Sequence, residues 1–410
     1  MAETQEEKLL LKKVDDITET WVLRLLKHNL HHTSGKDSRI KLNKWIRDKC
    51  SSTDALAGFS SSRATVSVEY EVEGEVEAAL RKETFVVKLI PTEGYMSGLL
   101  TSEGMHHIEV GQYGRFLVAL GEWEKARRGV CEGVVGEIVP SHALAVSTQH
   151  HFTLVLPEIT HLGYHTKNVS QGLGEDHILT VAQKLGTYHG TVVAYKVINR
   201  INLLDAFPGC FHQASVESPL FSVFVRAGFQ RLQEEWSGDA TKTHLLEMLA
   251  PYEVNPPEFV VSGLLPQEPF ATAMHGDLQP SNIFFKHTTD GQYTIKVIDW
   301  ATARYSQGTC DLVYLLNIGV DADVRRRVTK SATDVYFNAF NAALTDLNAN
   351  LSYPRDVFED QLVKARQLLV VWSIMSVNLF SSTQHLRDRL TAILADILLD
   401  PTVPSPTLST

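Results

Sequence analysis

Apolar and polar residues alternate early in the chain, and the alternation predicts strands. From Ala64 to Glu73, valines and a tyrosine fall on one face and a serine and glutamates on the other. This period of two is typical of a half-buried strand. A second apolar run, from Thr84 to Ile90, carries Lys88, and a third extends from Phe152 to Leu156. Together these runs predict the strands of an N-terminal sheet.

Most of the remaining chain spaces its apolar residues by three and four, which predicts amphipathic helices. The pattern covers residues 6–49, 105–128, 211–253 and much of 311–399. We interpret Asp311 as the N-cap of the helix that follows it. His189 lies on the apolar face of another predicted helix, where we favour a core position over a contact with substrate.

A β-hairpin is predicted around the turn signal Asp290-Gly291, which lies between two short apolar runs. In an antiparallel hairpin, the first residue of one strand lies beside the last residue of the other. Asn282 and Asp299 should therefore meet at the open end of the hairpin. The loop that carries Asp277 enters from the same end, so we expect three oxygen-bearing side chains to converge there.

Such a convergence has a chemical interpretation. Oxygen atoms are the ligands that a hard cation such as Mg²⁺ requires, so Asn282 and Asp299 are candidate metal ligands. Asp277 stands slightly apart and is a candidate to accept a proton from a hydroxyl group. The pattern H-G-D-x-x-x-x-N…I-D is a phosphotransfer arrangement, with one aspartate as base and an asparagine and a second aspartate on metal. An exposed hairpin with ordinary polar ends is the alternative.

A buried ion pair is predicted between Lys88 and Glu109. Lys88 lies inside an apolar strand, where an ammonium group needs a partner, and Glu109 lies on an apolar helix face. Kinases use such a pair to hold the phosphates of ATP; surface positions for both residues are the alternative. The turn before the first strand, with Ser60, Ser61 and Ser62, could bring backbone N–H groups to a phosphate, or be an ordinary loop.

Composition and charge limit the possible functions. The 410 residues are enough for two or three lobes, and the net charge of −10 argues against nucleic acid as a partner. The four cysteines show no C-x-x-C spacing, which favours a reducing compartment and gives no zinc signal. The polar N-terminus is unlike a signal peptide, and the longest apolar run is broken by serines. We therefore expect a cytoplasmic protein with no membrane span, and a disordered tail over residues 401–410.

Several motifs resemble those of a known superfamily. H-G-D-L-Q-P-S-N-I, V-I-D-W and D-L-V-Y-L-L are similar to motifs of the aminoglycoside phosphotransferases and choline kinases. V-V-K-L-I-P, L-V-L-P-E-I and K-L-G-T-Y-H-G resemble the ecdysteroid kinase-like (CHK-type) branch. The resemblance implies an α+β, protein kinase-like fold with two lobes. After a helical segment over residues 1–50, we expect an N-lobe with a small antiparallel sheet over 51–160 and a mainly helical C-lobe over 161–400.

The resemblance also implies roles for the residues of the hairpin and its loop. Asp277 would be the catalytic base that orients the acceptor hydroxyl. His275 would brace the catalytic loop through hydrogen bonds, without transferring a proton itself. Asn282 and Asp299 would hold Mg²⁺.

For the nucleotide, the resemblance implies that Lys88, supported by Glu109, contacts the phosphates of ATP. The adenine would lie against the segment that follows the strand at residues 152–156. Proline has no N–H group to donate, so Pro157 cannot make the backbone contact. The contact would fall to three residues: Glu158, Ile159 and Thr160.

These expectations describe an ATP-dependent kinase that acts on a hydroxyl of a small molecule, with neither nucleic acid nor membrane as partner. The family suggests an ecdysteroid, another sterol or a xenobiotic-type alcohol. A protein kinase is disfavoured because Asp299 is followed by Trp-Ala rather than Phe-Gly. Two alternatives stay open: a non-catalytic nucleotide- or ligand-binding pseudokinase, and a choline/ethanolamine-type kinase.

Overall fold

A five-stranded antiparallel sheet forms the N-terminal lobe of the computed structural model, which describes residues 6–34, 39–49, 62–73, 80–90, 102–213, 219–377 and 383–403. The strand order is β1-β2-β3-β5-β4. The strands are β1 (Ile40–Lys49), β2 (Ser62–Val72), β3 (Arg81–Leu89), β4 (Leu144–Ser147) and β5 (Phe152–Pro157). The three strands predicted from the sequence are therefore confirmed.

The helix predicted across residues 6–49 is present only in part. Glu19–Ser34 forms helix α1, but Ile40–Lys49 is the edge strand β1 and pairs with β2. A bulge shifts the register of β1 between Leu42 and Lys44. The bulge gives the apolar residues of this strand a spacing that resembles that of a helix. The helical prediction was therefore wrong for residues 40–49.

The two faces of the sheet have different surroundings. The face that carries Val66, Val68 and Tyr70 packs against α1 in a buried apolar cluster. Successive side chains of a strand point to opposite faces, so Arg63 and Lys88 lie on the other face. These two residues are cross-strand partners on β2 and β3. The sheet thus presents two cations side by side on the face opposite α1.

The helix predicted from residue 105 to 128 is confirmed, with one irregularity. It consists of α2 (Met105–Gly111), a π-helical turn (Gln112–Phe116) and α3 (Leu117–Arg128). A Cβ atom on Gly111 would lie 2.9 Å from the carbonyl oxygen of Gly209, so only glycine allows this backbone approach. The helix carries Glu109 toward the sheet.

The rest of the chain forms a mainly helical lobe with two small sheets. One sheet contains β6 (His165–Thr166), β8 (Ile283–His287) and β9 (Tyr293–Val297), and the other pairs β7 (Ala271–Met274) with β10 (Arg304–Gln307). The helices are α4 (Val134–Ile138), α5 (Glu175–Asn199), α6 (Leu203–Ala206), α7 (Pro219–Trp236), α8 (Ala240–Val254), α9 (Pro256–Gly263), α10 (Thr309–Ile318), α11 (Ala322–Asp346), α12 (Arg355–Met375) and α13 (Gln384–Leu398). This architecture confirms the predicted α+β, kinase-like fold class.

Smaller expectations can also be compared with the structure. Among the described residues, no helix has both the length and the apolar composition that crossing a bilayer requires. The cysteines in the described part of the chain, Cys131, Cys210 and Cys310, are unpaired. Of the tail that was expected to be disordered, residues 401–403 form a turn, and residues 404–410 lie outside the described residues.

Candidate active site

The predicted hairpin is present and has the predicted register. Ile283 on β8 pairs with Val297 on β9, and the N–H of Ile298 donates to the carbonyl oxygen of Asn282 at 3.0 Å. This pairing brings Asn282 and Asp299 to the same end of the hairpin. Asp299 has a φ of +68°, a left-handed conformation that is uncommon for a non-glycine residue and occurs often at functional sites.

His275 connects the loop of Asp277 to this hairpin. The N–H of Asp277 donates to Nδ1 of His275 at 3.1 Å, so Nδ1 is the acceptor nitrogen of the ring. The ring proton then lies on Nε2, which is 2.9 Å from the carbonyl oxygen of Ile298 and donates to it. His275 is buried. Its geometry is that of a brace between two backbone segments.

The carboxylate of Asp277 accepts hydrogen bonds from three side chains. Its Oδ1 accepts a hydrogen bond from the hydroxyl of Tyr314 at 2.9 Å. Its Oδ2 accepts one from Nδ2 of Asn282 at 3.0 Å and one from Nε2 of Gln279 at 3.2 Å. Burial raises the pKa of Asp277 above its ordinary value, and the nearby charge of Asp299 acts in the same direction.

Asp311 has a different role from the one we predicted. Helix α10 begins at Thr309 and its N-cap is Gly308, so the N-cap prediction for Asp311 is wrong. The fully buried carboxylate instead accepts hydrogen bonds from the backbone N–H groups of His275, at 2.6 Å, and Gly276, at 2.8 Å. Asp311 thereby fixes the start of the loop that carries Asp277.

His189 is a core residue, as predicted. Its side chain is fully buried, and Nδ1 lies 2.7 Å from the hydroxyl of Tyr336. Its Nε2 lies 3.4 Å from Oδ2 of Asp311. His189 therefore belongs to the buried interior behind the loop that carries Asp277.

Lys88 joins the two lobes at the centre of the site. Its Nζ lies 2.6 Å from Oε1 of Glu109 and 3.3 Å from Oδ1 of Asp299. Only 4% of Lys88 and 2% of Glu109 is exposed, so the predicted buried pair is present. Burial raises the pKa of Glu109 against the opposing charge of Lys88. Burial also favours a higher pKa for Asp299, but the charges of Lys88 and Arg63 outweigh it and hold this pKa below its ordinary value.

A small cavity lies beside Lys88 and Asp299 and has a volume of about 70 Å³. Val86 and Leu156 line it from the sheet, and Phe284 and Ile298 line it from the hairpin. These apolar side chains from both lobes give the cavity the two walls that a flat aromatic base requires.

Of the segment predicted to contact adenine, residues 158–160, Glu158 and Ile159 line the cavity. Two of the three N–H groups in the segment already have partners. The N–H of Glu158 donates to the carbonyl oxygen of Thr84 at 2.8 Å, and that of Thr160 donates to the Glu158 carboxylate at 2.9 Å. Of the three N–H groups expected to contact adenine, that of Ile159 is therefore the remaining candidate. Of the three predicted phosphate-loop serines, Ser62 begins β2, whereas Ser60 and Ser61 lie outside the described residues.

The sequence did not identify four residues of the candidate site: Arg63, Gln279, Tyr314 and, in its observed role, Asp311. Tyr314 and Asp311 lie one helical turn apart on α10, a spacing that places both side chains toward the catalytic loop. Gln279 stands within the quoted H-G-D motif. Arg63 could have been found from strand alternation, because it shares a sheet face with Lys88.

Comparisons with solved structures find distant similarities. A macrolide 2′-phosphotransferase from Brachybacterium faecium is 14% identical, with 90% of this chain and 97% of that chain covered and a TM-score of 0.38. An ethanolamine kinase from Plasmodium vivax is 13% identical, with 96% and 92% covered and a TM-score of 0.41. A glucosamine kinase is 14% identical, with 88% and 93% covered and a TM-score of 0.38. TM-scores below 0.5 are too low to support an inference about substrate.

A search of curated proteins finds no match. A profile of the ecdysteroid kinase-like family, in contrast, matches residues 56–349 of the 410-residue chain. The matched region includes the whole sheet from β2 onward, the Lys88–Glu109 pair and the hairpin of β8 and β9. The chain therefore belongs to the ecdysteroid kinase-like family, a family of small-molecule kinases.

Proposed function

We propose that this protein transfers the γ-phosphoryl group of ATP to a hydroxyl group of a small-molecule alcohol. The observation that carries the proposal is the register of the hairpin, which brings Asn282 and Asp299 to one end. There Asn282 bonds to Asp277, and Asp299 contacts Lys88. Phosphoryl transfer requires little covalent chemistry from the protein and depends on positioning and charge stabilisation. This set of side chains provides both.

Asp277 is the proposed base. A carboxylate offers about four lone-pair sites for hydrogen bonds, and the structure occupies three of them, leaving one for an acceptor hydroxyl. The bonds from Gln279 and Asn282 fix the orientation of the carboxylate. The raised pKa of Asp277 makes it a better proton acceptor than an exposed aspartate.

The residues present fit a Mg²⁺ ion. Asn282 uses its Nδ2 for two hydrogen bonds to Asp277, which leaves its Oδ1 as the ligand atom. Asp299 offers a carboxylate whose lowered pKa keeps it ionised. In this proposal the protein supplies two ligands, Asn282 and Asp299. Mg²⁺ accepts such a site, with phosphate oxygens and water as the other ligands, and would neutralise phosphate charge there.

The nucleotide is proposed to lie across the cleft from the Ile159 backbone to Lys88. The apolar side chains at positions 86, 156, 284 and 298 would enclose the base. Lys88 would meet the phosphates, and Glu109 would hold the ammonium group in position. The cavity volume of about 70 Å³ is well below the roughly 300–1,000 Å³ of ordinary ligand pockets, so the lining side chains must move when a nucleotide binds.

For the acceptor, we propose an ecdysteroid, another sterol or a xenobiotic-type alcohol. The family match supports this class of substrate. Tyr314 brings an aromatic ring next to Asp277, the proposed catalytic base. That ring packs edge-on against Trp372, with the ring centroids 5.6 Å apart. Aromatic side chains provide a broad apolar surface with a polar edge, which suits a hydroxylated apolar acceptor.

The proposal is tested by a screen of hydroxylated small molecules with labelled ATP and Mg²⁺. The panel contains ecdysteroids, other sterols and glycosylated xenobiotics, with choline and ethanolamine included as alternative acceptors. We expect labelled phosphate to appear on at least one apolar alcohol.

Asp277→Asn serves as the inactive control in this screen, and Asp360→Asn is the matched control. Asp360 lies on the surface of α12 and pairs with an exposed neighbour, Lys364, in the same helix, so its substitution should leave transfer unchanged. ATP binding without transfer to any acceptor would instead indicate a pseudokinase. Preferential labelling of choline or ethanolamine would contradict the proposed acceptor class.

A further inference from the structure

A second cation, besides Lys88, reaches the proposed metal ligand Asp299. Nη2 of Arg63 lies 3.6 Å from Oδ2 of Asp299, whereas Lys88 contacts Oδ1. Each oxygen of the carboxylate therefore faces one cation. The two cations come from neighbouring strands, and their side chains share one face because Arg63 and Lys88 are cross-strand partners.

Arg63 also borders the cavity that we assign to the nucleotide. The cavity wall contains Arg63 together with Val86, Lys88 and Ile159, and the side chain of Arg63 is 26% exposed. Arg63 thus lies at the Lys88 end of the cavity, and its side chain is partly exposed. The charge of Arg63 is not needed to balance the Lys88–Glu109 pair, because Glu109 already balances the charge of Lys88.

The charges of the site show what Arg63 contributes. Lys88 and Arg63 bring two positive charges, and Glu109 and Asp299 bring two negative charges. Without Arg63 this set would be net negative, before the charge of Asp277 is counted. Positive charge favours the binding of a polyphosphate, so Arg63 adds an attraction for phosphate that Lys88, paired with Glu109 and Asp299, does not provide alone.

We propose that Arg63 is a second phosphate-binding residue of the nucleotide site. The inference rests on the proposed function, because it presupposes that a nucleotide binds in this cleft. The planar fork of a guanidinium group matches the geometry of phosphate oxygens, so Arg63 can bind a nucleotide phosphate beside Lys88. Arg63 is therefore a cofactor-binding residue that pairs with Asp299 in the unliganded protein.

The experiment compares wild type, Arg63→Met and Arg63→Lys by calorimetric titration with ATP, ADP, AMP and adenosine in the presence of MgCl₂. Charge-assisted hydrogen bonds predict that Arg63→Met weakens ATP and ADP binding by roughly 10- to 100-fold. Adenosine affinity should change by less than about threefold, because adenosine lacks the phosphates that such bonds require. Arg63→Lys should recover part of the ATP affinity, since lysine keeps the charge but not the fork.

Lys82→Met is the matched control. Lys82, on β3, is like Arg63 a cation of the sheet, but its side chain is 66% exposed and pairs with Glu69. It is six residues from Lys88, about 20 Å along the strand. Because it removes the same charge far from the cleft, this variant should bind ATP as wild type does. A thermal melt checks that each variant folds. If Arg63→Met does not fold, the comparison of Arg63→Lys with wild type tests the proposal.

The possible outcomes separate this inference from the proposed function. If wild type binds ATP, and Arg63→Met binds each of the four ligands with wild-type affinity, then Arg63 does not contact phosphate. In that case only the inference fails. The same holds if Arg63→Met tightens ATP and adenosine binding alike, which would identify Arg63 as an obstruction of the cleft. If folded wild type binds none of the four ligands, the proposed function is wrong, and the inference that depends on it is wrong as well.

Discussion

Removal of the Asp311 carboxylate should release the loop that carries Asp277. In Asp311→Ala, the backbone N–H groups of His275 and Gly276 lose acceptors at 2.6 and 2.8 Å inside a fully buried site. A hydrogen bond to a charged group contributes about 1.5–3 kcal/mol, so the two bonds together set an upper range of about 3–6 kcal/mol. Because the cavity left by the substitution could admit water, we expect the free energy of unfolding to fall by about 3–4 kcal/mol.

Activity should fall by more than stability alone would suggest. A loop displaced by about 1 Å moves Asp277 relative to the acceptor, and such a displacement can cost about 100-fold in turnover. ATP affinity should change little, because Asp311 lies behind the loop and not in the nucleotide cavity. Asp311→Asn keeps one oxygen acceptor and should lose about half as much stability.

Urea denaturation and steady-state kinetics measure the two effects, with Asp323→Ala as control. Asp323 also lies in the first turn of a helix, α11, but its side chain is 75% exposed and pairs with Arg327 within the same helix. Its removal should cost less than about 1 kcal/mol. If Asp311→Ala were as stable and as active as the control, the claim that this carboxylate fixes the loop would be refuted.

Two further substitutions probe the remaining contacts of the site. The hydroxyl of Tyr314 stabilises the ionised form of Asp277, so Tyr314→Phe should raise the pKa of Asp277 and move the acidic limb of the pH–kcat profile to higher pH; an unmoved limb would contradict this role. Glu109→Gln leaves Lys88 without its carboxylate at 2.6 Å and should lower kcat/KM for ATP by up to about 100-fold in initial-rate assays, whereas wild-type kinetics would show that the pair does not position Lys88.

Local signals were sufficient for the catalytic hairpin and the Lys88–Glu109 pair. The Asp290-Gly291 turn and the two apolar runs define the hairpin register, and register alone brings Asn282 and Asp299 to the same end. Lys88 and Glu109 were recognisable because each charge lies on an apolar face, where it needs a partner. These inferences required only strand and helix periodicity.

The errors arose where distant segments decide the structure. Residues 40–49 form a strand because β2 offers a partner, and the bulge at Leu42 hides the strand period. Asp311 was read as a cap because its true partners, the N–H groups of His275 and Gly276, lie 36 and 35 residues earlier in the chain. The contact between Arg63 and Asp299 similarly joins two lobes that no local pattern relates.

The central claim is that Asp277 acts as the base at a phosphotransfer site that it shares with Asn282, Asp299 and Lys88. The most direct test is the turnover of Asp277→Asn with saturating ATP and the acceptor found in the screen, with ATP affinity measured in parallel. We predict that turnover falls by about 1,000-fold or more while the ATP dissociation constant stays within about threefold of wild type. Turnover within about tenfold of wild type would contradict the account.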